Sequence, residues 1–399
     1  MPVTVVERVS IFPLLIPLRH KVSHSASHRG LADPVVVAVE LSDGTIGYGE
    51  TLPRSYVTCE TVDSVVDAIR NTFVTALVEF HPATFAESLE SIEGLPWQDG
   101  SGRSIPAARA AVELALLDAT MRCYGRDIED VVGWLGLPGF GKPASIGRIR
   151  FSGVLATDDP QQTLRQLRLM YWGGLRHFKL KVGSPGDFHK LQRVIDYLAR
   201  PIAKGKVRVR LDANGGWVKD DAIEWLARAA ELPVEAIEQP LSRGDEADLG
   251  AVRDAVGGSG LRFVHDESLI TRDDADRLIK LGVADGFNIR ISKCGGLLPS
   301  LRLGGIARRA GVDIQLGCMV GETSILSAAA LRFLQVCPDV VWAEGCFGSW
   351  LLSGDVVRKP LRFGYGGRPP RLRGAGLGVD VRPERLRSFC EDKPIVLNL

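Results

Sequence analysis

Five short apolar runs, each ending in a charge, constrain this chain more than any other feature. They lie at 177–183 (HFKLKVG), 207–214 (VRVRLDAN), 236–240 (AIEQP), 263–268 (FVHDES) and 287–296 (FNIRISKCGG). Each is short and rich in β-branched residues, which suits a strand buried on both faces of a parallel sheet. Each also carries a residue that is expensive to bury: Lys181, Asp212, Glu238, Asp266 and Lys293. Asp212 and Glu238 are 26 positions apart, and Glu238 and Asp266 are 28 apart. That interval holds one strand, one helix and two loops. The five charges are therefore expected at the same end of successive strands, the end where a β/α barrel builds its active site.

The rest of the chain fits this frame. A length of 399 residues predicts more than one domain. Residues 1 to about 55 read as antiparallel β, with a hairpin at Asp43-Gly44. The stretches 61–80 and 104–124 read as helices, the second through its Ala/Leu repeats (AARAAVELALLDA). Two polar segments, 19–30 (RHKVSHSASHRG) and 52–60 (LPRSYVTCE), read as loops. His20, His24 and His28 recur every four positions, but a Ser-rich segment without helix formers does not build a helical metal face. From about 144 strands alternate with helices. Eight strands are expected, at 145–155, 177–183, 207–214, 236–240, 262–268, 286–293, 313–319 and 340–345, and right-handed crossovers would close them into a barrel. The stretch 374–381 (GAGLGVDV) reads as a strand returning to the first domain.

Bulk properties exclude several partners. Forty-nine basic against 48 acidic residues leave no electrostatic case for nucleic acid or a membrane surface. No apolar run approaches the ~20 residues of a membrane span. The first residues lack a signal peptide's pattern. Seven cysteines without a CxxC pair suit a reducing cytoplasm, and Cys294, Cys318 and Cys346 read as small buried hydrophobes.

Three carboxylates without His or Cys partners make a hard-oxygen site, which favours Mg²⁺, with Mn²⁺ as the alternative. A substrate carboxylate is the natural occupant of the open metal positions. Lys179 and Lys181 lie two apart on one strand and so share a face. Mutual repulsion and desolvation are expected to lower a lysine pKa there, preparing a base. Lys293 would approach from a strand about halfway round. One lysine would take the proton α to the carboxylate, while metal and opposing ammonium stabilise the enediolate. Taken singly, each residue has an ordinary reading: a solvated lysine tip, an Asp-Asn-Gly turn, a loop acid, a helix N-cap. K-x-K, D-x-N, E-Q-P, D-E-S and K-x-G-G in order, at β/α spacing, do not.

With those motifs in place, the chain resembles the enolase superfamily, most closely its muconate-lactonizing-enzyme branch. The resemblance implies an α/β fold, a modified (β/α)7β TIM barrel with an α+β N-terminal capping domain. It implies a cap over 1–128, a barrel over 129–352 and a C-terminal segment, 353–399, returning to the cap. It implies Asp212, Glu238 and Asp266 as Mg²⁺ ligands, Lys181 and Lys293 as acid/base lysines, and Lys179 as their electrostatic partner. Asn214 would touch the substrate or support the ligands, and Glu267 would support the third ligand. None of the seven histidines follows position 265, so the late histidine base of the mandelate-racemase branch is missing. His265 itself is expected to point away from the interior. The two cap loops would choose the substrate through His24, Arg54 and Tyr56, joined by Glu322 from 317–324 (GCMVGETS). Dipeptide epimerases carry Asp-x-Asp after the eighth strand, and the Glu344-Gly345-Cys346-Phe347-Gly348 found here counts against that activity; Phe347-Gly348 followed by Leu351-Leu352 is nearer the cycloisomerase pattern. The implied function is muconate cycloisomerase-like chemistry on a small carboxylate. The same residues suit a racemase or epimerase of an N-acyl amino acid, dipeptide or proline-type substrate, or an acid-sugar dehydratase. A barrel that binds without catalysis is the reading from another class. A homo-oligomer is expected by family analogy.

Overall fold

The computed structural model describes residues 4–399 apart from 25, 26, 142–147, 185, 338 and 373, with the side chains of 20–29 also outside the described set. The N-terminal unit is built on a four-stranded antiparallel sheet of β1 (Val6–Pro13), β4 (Val35–Leu41), β5 (Ile46–Thr51) and β14 (Ile395–Asn398), in the order β14-β1-β4-β5. The helix Pro106–Cys123 crosses it so closely that β5 must offer glycine. A Cβ on Gly47 would lie 2.2 Å from Ala115 O, and one on Gly49 would lie 2.0 Å from Ala111 O. That helix is buried on almost every side, including Arg109, Glu113 and Asp118. Its buried charges tie the elements together. Glu60 accepts from Ala107 N and Ala108 N at the helix's own start, at 2.7 and 2.9 Å. Glu113 accepts from Leu297 N and Leu298 N at the start of the helix Leu297–Ala310. Glu50, at the end of β5, does the same for the helix Ser324–Val336 through Thr323 N and Leu326 N. Carboxylates at helix N-termini satisfy orphan N–H groups and complement the helix dipole. Here two of them bind the first unit to the second.

The second unit is a parallel sheet of eight strands in sequence order: β6 (Gly153–Leu155), β7 (His177–Lys181), β8 (Arg208–Asp212), β9 (Ala236–Glu238), β10 (Arg262–His265), β11 (Gly286–Ile289), β12 (Asp313–Leu316) and β13 (Val340–Ala343). It curls until Phe151, just before β6, meets Ala343 of β13 in a parallel bridge. This is the α/β barrel with an α+β cap.

Three expectations need correction. Residues 19–24 and 27–30 belong to an antiparallel ribbon, β2 (Ile16–His24) with β3 (Ser27–Ala32). Ladder hydrogen bonds hold it, so no apolar alternation announced it. Residues 374–378 form turns and bends, only Val381 of the stretch makes a bridge, with Val357, and β14 is the strand that pairs with β1. The sixth strand stops at Ile289, not Lys293, and residues 291–295 form a turn. Gly295 and Gly296 need positive φ there (80° and 120°) and have no room for a Cβ against Trp97 and Glu113.

Candidate active site

Strand register assembles the centre. Lys181 pairs with Asp212, and Asp212 with Glu238, on β7, β8 and β9. Asp266 follows β10, and Lys293 arrives from the turn after β11. Asp212, Glu238, Asp266, Lys179 and Lys293 are all buried, whereas Lys181 keeps about a fifth of its side chain exposed.

The carboxylates form a row with cations between them. Lys179 Nζ lies 3.1 Å from Asp212 Oδ2 and 3.2 Å from Glu238 Oε2. Arg290 contacts Asp266 Oδ2 and lies 3.8 Å from Glu238 Oε1. Lys181 sits at one end, 2.7 Å from Asp212 Oδ2, and also donates to Asn214 Oδ1. Lys293 sits at the other, 2.9 Å from Asp266 Oδ1, donating to Leu269 O at 2.8 Å and to Asp266 O. Such a row persists in a buried site only because each negative charge touches a positive one. As the side chains stand, no three His, Cys, Asp or Glu among the described residues surround a common cation point. The guanidinium of Arg290 and the ammonium of Lys179 stand between the acids.

Electrostatics follow from this packing. Burial alone would lower the Lys179 pKa, but Glu238 and Asp212 more than offset it and the pKa is raised. At Lys179 the expected lowering is therefore reversed, because two carboxylates lie within 3.2 Å of the ammonium. Burial pushes the Asp212 carboxyl up, yet Lys181 and Lys179 hold it well below its ordinary range. Asp266 is likewise held down, against its burial, by Arg290 and Lys293. Glu267 is pushed up to about 7 by burial and by the charge of Asp266. Asn214, at φ 48°, turns its amide toward Glu267 Oε1 at 3.3 Å. Positive φ at a non-glycine residue is strain that surrounding contacts must hold.

Four residues in the centre had not been singled out for it. Asn288 and Gln315, register partners on β11 and β12, each donate to Glu238 at 2.8 Å. Their signal was two amides in inward-facing positions of apolar strands. Arg290 stands three residues before Lys293. Glu344 contacts Lys179 Nζ at 2.8 Å and pairs with Arg210; in sequence it registered only as a departure from Asp-x-Asp.

Of the expected substrate contacts, Asn214 meets Lys181 in the centre, while Arg54 and Glu322 have protein partners of their own. Arg54 is buried and donates to Asp33 at 2.8 Å, Pro53 O at 2.7 Å and Val320 O at 3.2 Å, so it latches the cap segment to the loop after β12. Glu322 accepts from Met319 N of its own loop at 3.0 Å and from Ser327 Oγ of the following helix at 2.8 Å, and burial pushes its carboxyl up to about 7. Tyr56 is exposed on the one-turn helix Ser55–Thr58. The side chain of His24 lies outside the described residues. His265 turns outward as expected, bonding Val283 O at 3.2 Å.

Comparison with known proteins agrees with this architecture. Residues 162–385 match the family model described as Enolase C-terminal domain-like. An N-succinyl-L-Arg/Lys racemase of Bacillus cereus is 27% identical, over 97% of this chain and 98% of its own. A chloromuconate cycloisomerase of Cupriavidus necator is 30% identical, over 71% of this chain and 72% of its own. The crystal structure of a dipeptide epimerase from Cytophaga hutchinsonii, complexed with Mg and D-Ala-L-Val, superposes with a TM-score of 0.83 at 21% identity, covering 99% of this chain and 100% of that one. The barrel, the cap and the matched family together show that this chain belongs to the enolase superfamily and is an enzyme of it.

Proposed function

We propose that the protein is a Mg²⁺-dependent racemase or epimerase of N-acylated amino acids, moving the proton α to the substrate carboxylate between two lysines. The observation that carries this reading is the position of Lys181 and Lys293 at opposite ends of one carboxylate row, each held by a different acid. The full-length similarity to an N-succinyl amino acid racemase supports the substrate class.

The donor set suits the ion: Asp212, Glu238 and Asp266 offer only hard oxygens, buried, without sulfur or imidazole. These three would hold it once Arg290 swings aside. Bound there, the cation would neutralise charge on the substrate carboxylate as the α-proton leaves. The chain's own residues supply the rest. Lys181 takes the proton from one face and Lys293 returns one to the other, with roles exchanged in the reverse direction. Lys179, kept protonated by Asp212, Glu238 and Glu344, adds fixed positive charge. Burial of the row excludes water that would quench the carbanion.

Cycloisomerisation of a muconate-type diacid is the second reading, favoured by Phe347-Gly348 after β13 and by the cycloisomerase relative. It needs one proton donor rather than two bases. Incubation of N-succinyl amino acids of both hands in deuterium oxide separates the two. The racemase reading predicts α-deuterium in both enantiomers. Lactone formation from muconates, with no exchange in any N-acyl amino acid, would replace it with the second.

A further inference from the structure

A cleft of about 460 Å³ lies outside the barrel centre, between the cap and the helices that follow β10 and β11. Its floor is one face of the helix Leu297–Ala310: Pro299, Arg302, Leu303, Ile306 and Arg309, at the spacing that places residues on one side. Leu303 and Ile306 are buried there, and the two arginines flank them. The cap supplies the opposite wall through Trp97 and Arg109. The Arg109 guanidinium lies 4.5 Å from the Trp97 ring centroid and donates to main-chain carbonyls, among them Gly295 O at 2.6 Å and Glu93 O at 3.0 Å.

Charge in this cleft is one-sided. Four arginines, 109, 272, 302 and 309, face a single acid, Glu93. Glu93 is taken by Arg302, at 3.0 Å from Nη2, so that pair shows a carboxylate already seated on this wall. Arg272 pairs with Asp276 on its own helix. Among the described residues, Arg309 has no hydrogen bond or ion pair. A guanidinium without a partner, beside buried Leu303 and Ile306 and a tryptophan edge, matches an anion carried on an apolar body. The volume is that of a small-molecule site, roughly 300–1,000 Å³, and such sites favour domain boundaries.

We propose that this cleft is a second binding site, distinct from the barrel centre, for a small carboxylate with an apolar body. The carboxylate sits on Arg309, with Arg302 within reach when it leaves Glu93, and the body lies on Leu303, Ile306 and Trp97. Cations are excluded by the same arginines.

Titration calorimetry of the Mg²⁺-loaded protein with benzoate and with hexanoate tests it, using hexylammonium as the cationic control. At least one acid binds saturably, one per chain, to wild type and to Lys293→Ala alike, and hexylammonium does not. Arg309→Ala, an exposed position whose loss leaves the melting temperature unchanged, weakens that binding at least tenfold. No saturable binding of either acid overturns the proposal, as does affinity unchanged by Arg309→Ala. Binding abolished by Lys293→Ala would put the acid in the barrel instead. Dissociation of an oligomer by Arg309→Ala, with no acid bound in wild type, would mean that a second copy of the chain fills the cleft.

Discussion

Lys181 of β7 and Asp212 of β8 are direct register partners, and their side chains meet at 2.7 Å. Lys293, on a turn beyond β11, makes the matching contact with Asp266 at 2.9 Å. Each lysine is thus tethered to an acid at one end of the row. Replacing either by Ala should reduce turnover at least 10³-fold, the order that general acid–base groups supply at about 10²–10⁴-fold. The two variants should differ in hand: one should still exchange the α-proton of one enantiomer, and the other that of its mirror image. Proton NMR in deuterium oxide checks this, and identical exchange in both variants would remove the two-face assignment.

Mg²⁺ dependence should sit on the carboxylate row. Asp212→Asn and Glu238→Gln should each weaken Mg²⁺ binding by two orders of magnitude or more, read by calorimetry. Chelation by EDTA should abolish turnover and leave the far-ultraviolet dichroism unchanged, because Lys179 and Arg290 already neutralise the acids in the ion's absence. Undiminished affinity in both variants would move the metal elsewhere.

Arg290 should have opposite effects in the metal-free and the metal-loaded protein. Arg290→Gln leaves Glu238 and Asp266 facing each other with less compensation. Breaking a buried pair costs about 3–5 kcal/mol, so the metal-free variant should unfold at clearly lower urea. Saturating Mg²⁺ should recover more stability in the variant than in wild type. Equal Mg²⁺ stabilisation of both proteins would show that Arg290 does not compete with the ion.

Gly49→Ala tests the contact of β5 with the cap helix. Its Cβ would lie 2.0 Å from Ala111 O, a backbone atom that cannot turn away. Overpacking costs typically about 1–3 kcal/mol, and a clash with backbone belongs at the upper end. Urea denaturation reads the loss; a wild-type midpoint would show that the sheet and helix separate freely.

His177 makes stability depend on pH. Burial, with Arg208 and Arg210 nearby, lowers its pKa to about 4 from an ordinary 6.5. The unfolded chain therefore takes up a proton as pH falls through 6.5, and the native protein does so only near 4. Stability is full above 6.5, falls between 6.5 and 4, and is flat below. For this partly exposed ring the contribution is about 2 kcal/mol after solvent screening. Comparing wild type with His177→Phe at pH 7 and 5 isolates it: wild type should lose stability relative to the variant at the lower pH. An unchanged difference between them would exclude His177 as the source.

What the sequence determined by itself was the barrel and the identity of its central charges. Charged residues that end β-branched runs at β/α intervals belong at one rim of a parallel sheet, and Asp212, Glu238, Asp266, Lys181 and Lys293 do converge there. The glycines at 47, 49, 295 and 296 were visible as letters, but the helix and side chains pressing on them were not. Arg290, Asn288, Gln315 and Glu344 joined the centre only in three dimensions, because inward-facing positions acquire meaning once eight strands set their register. Cap residues were the hardest to read. Arg54 reads in sequence as a loop cation, and only the fold shows its carbonyl and carboxylate partners; Glu322 reads as a loop acid, and only the fold shows it accepting from Met319 N and from Ser327 of the following helix. Local sequence names the groups a site can use; long-range packing decides which are already occupied.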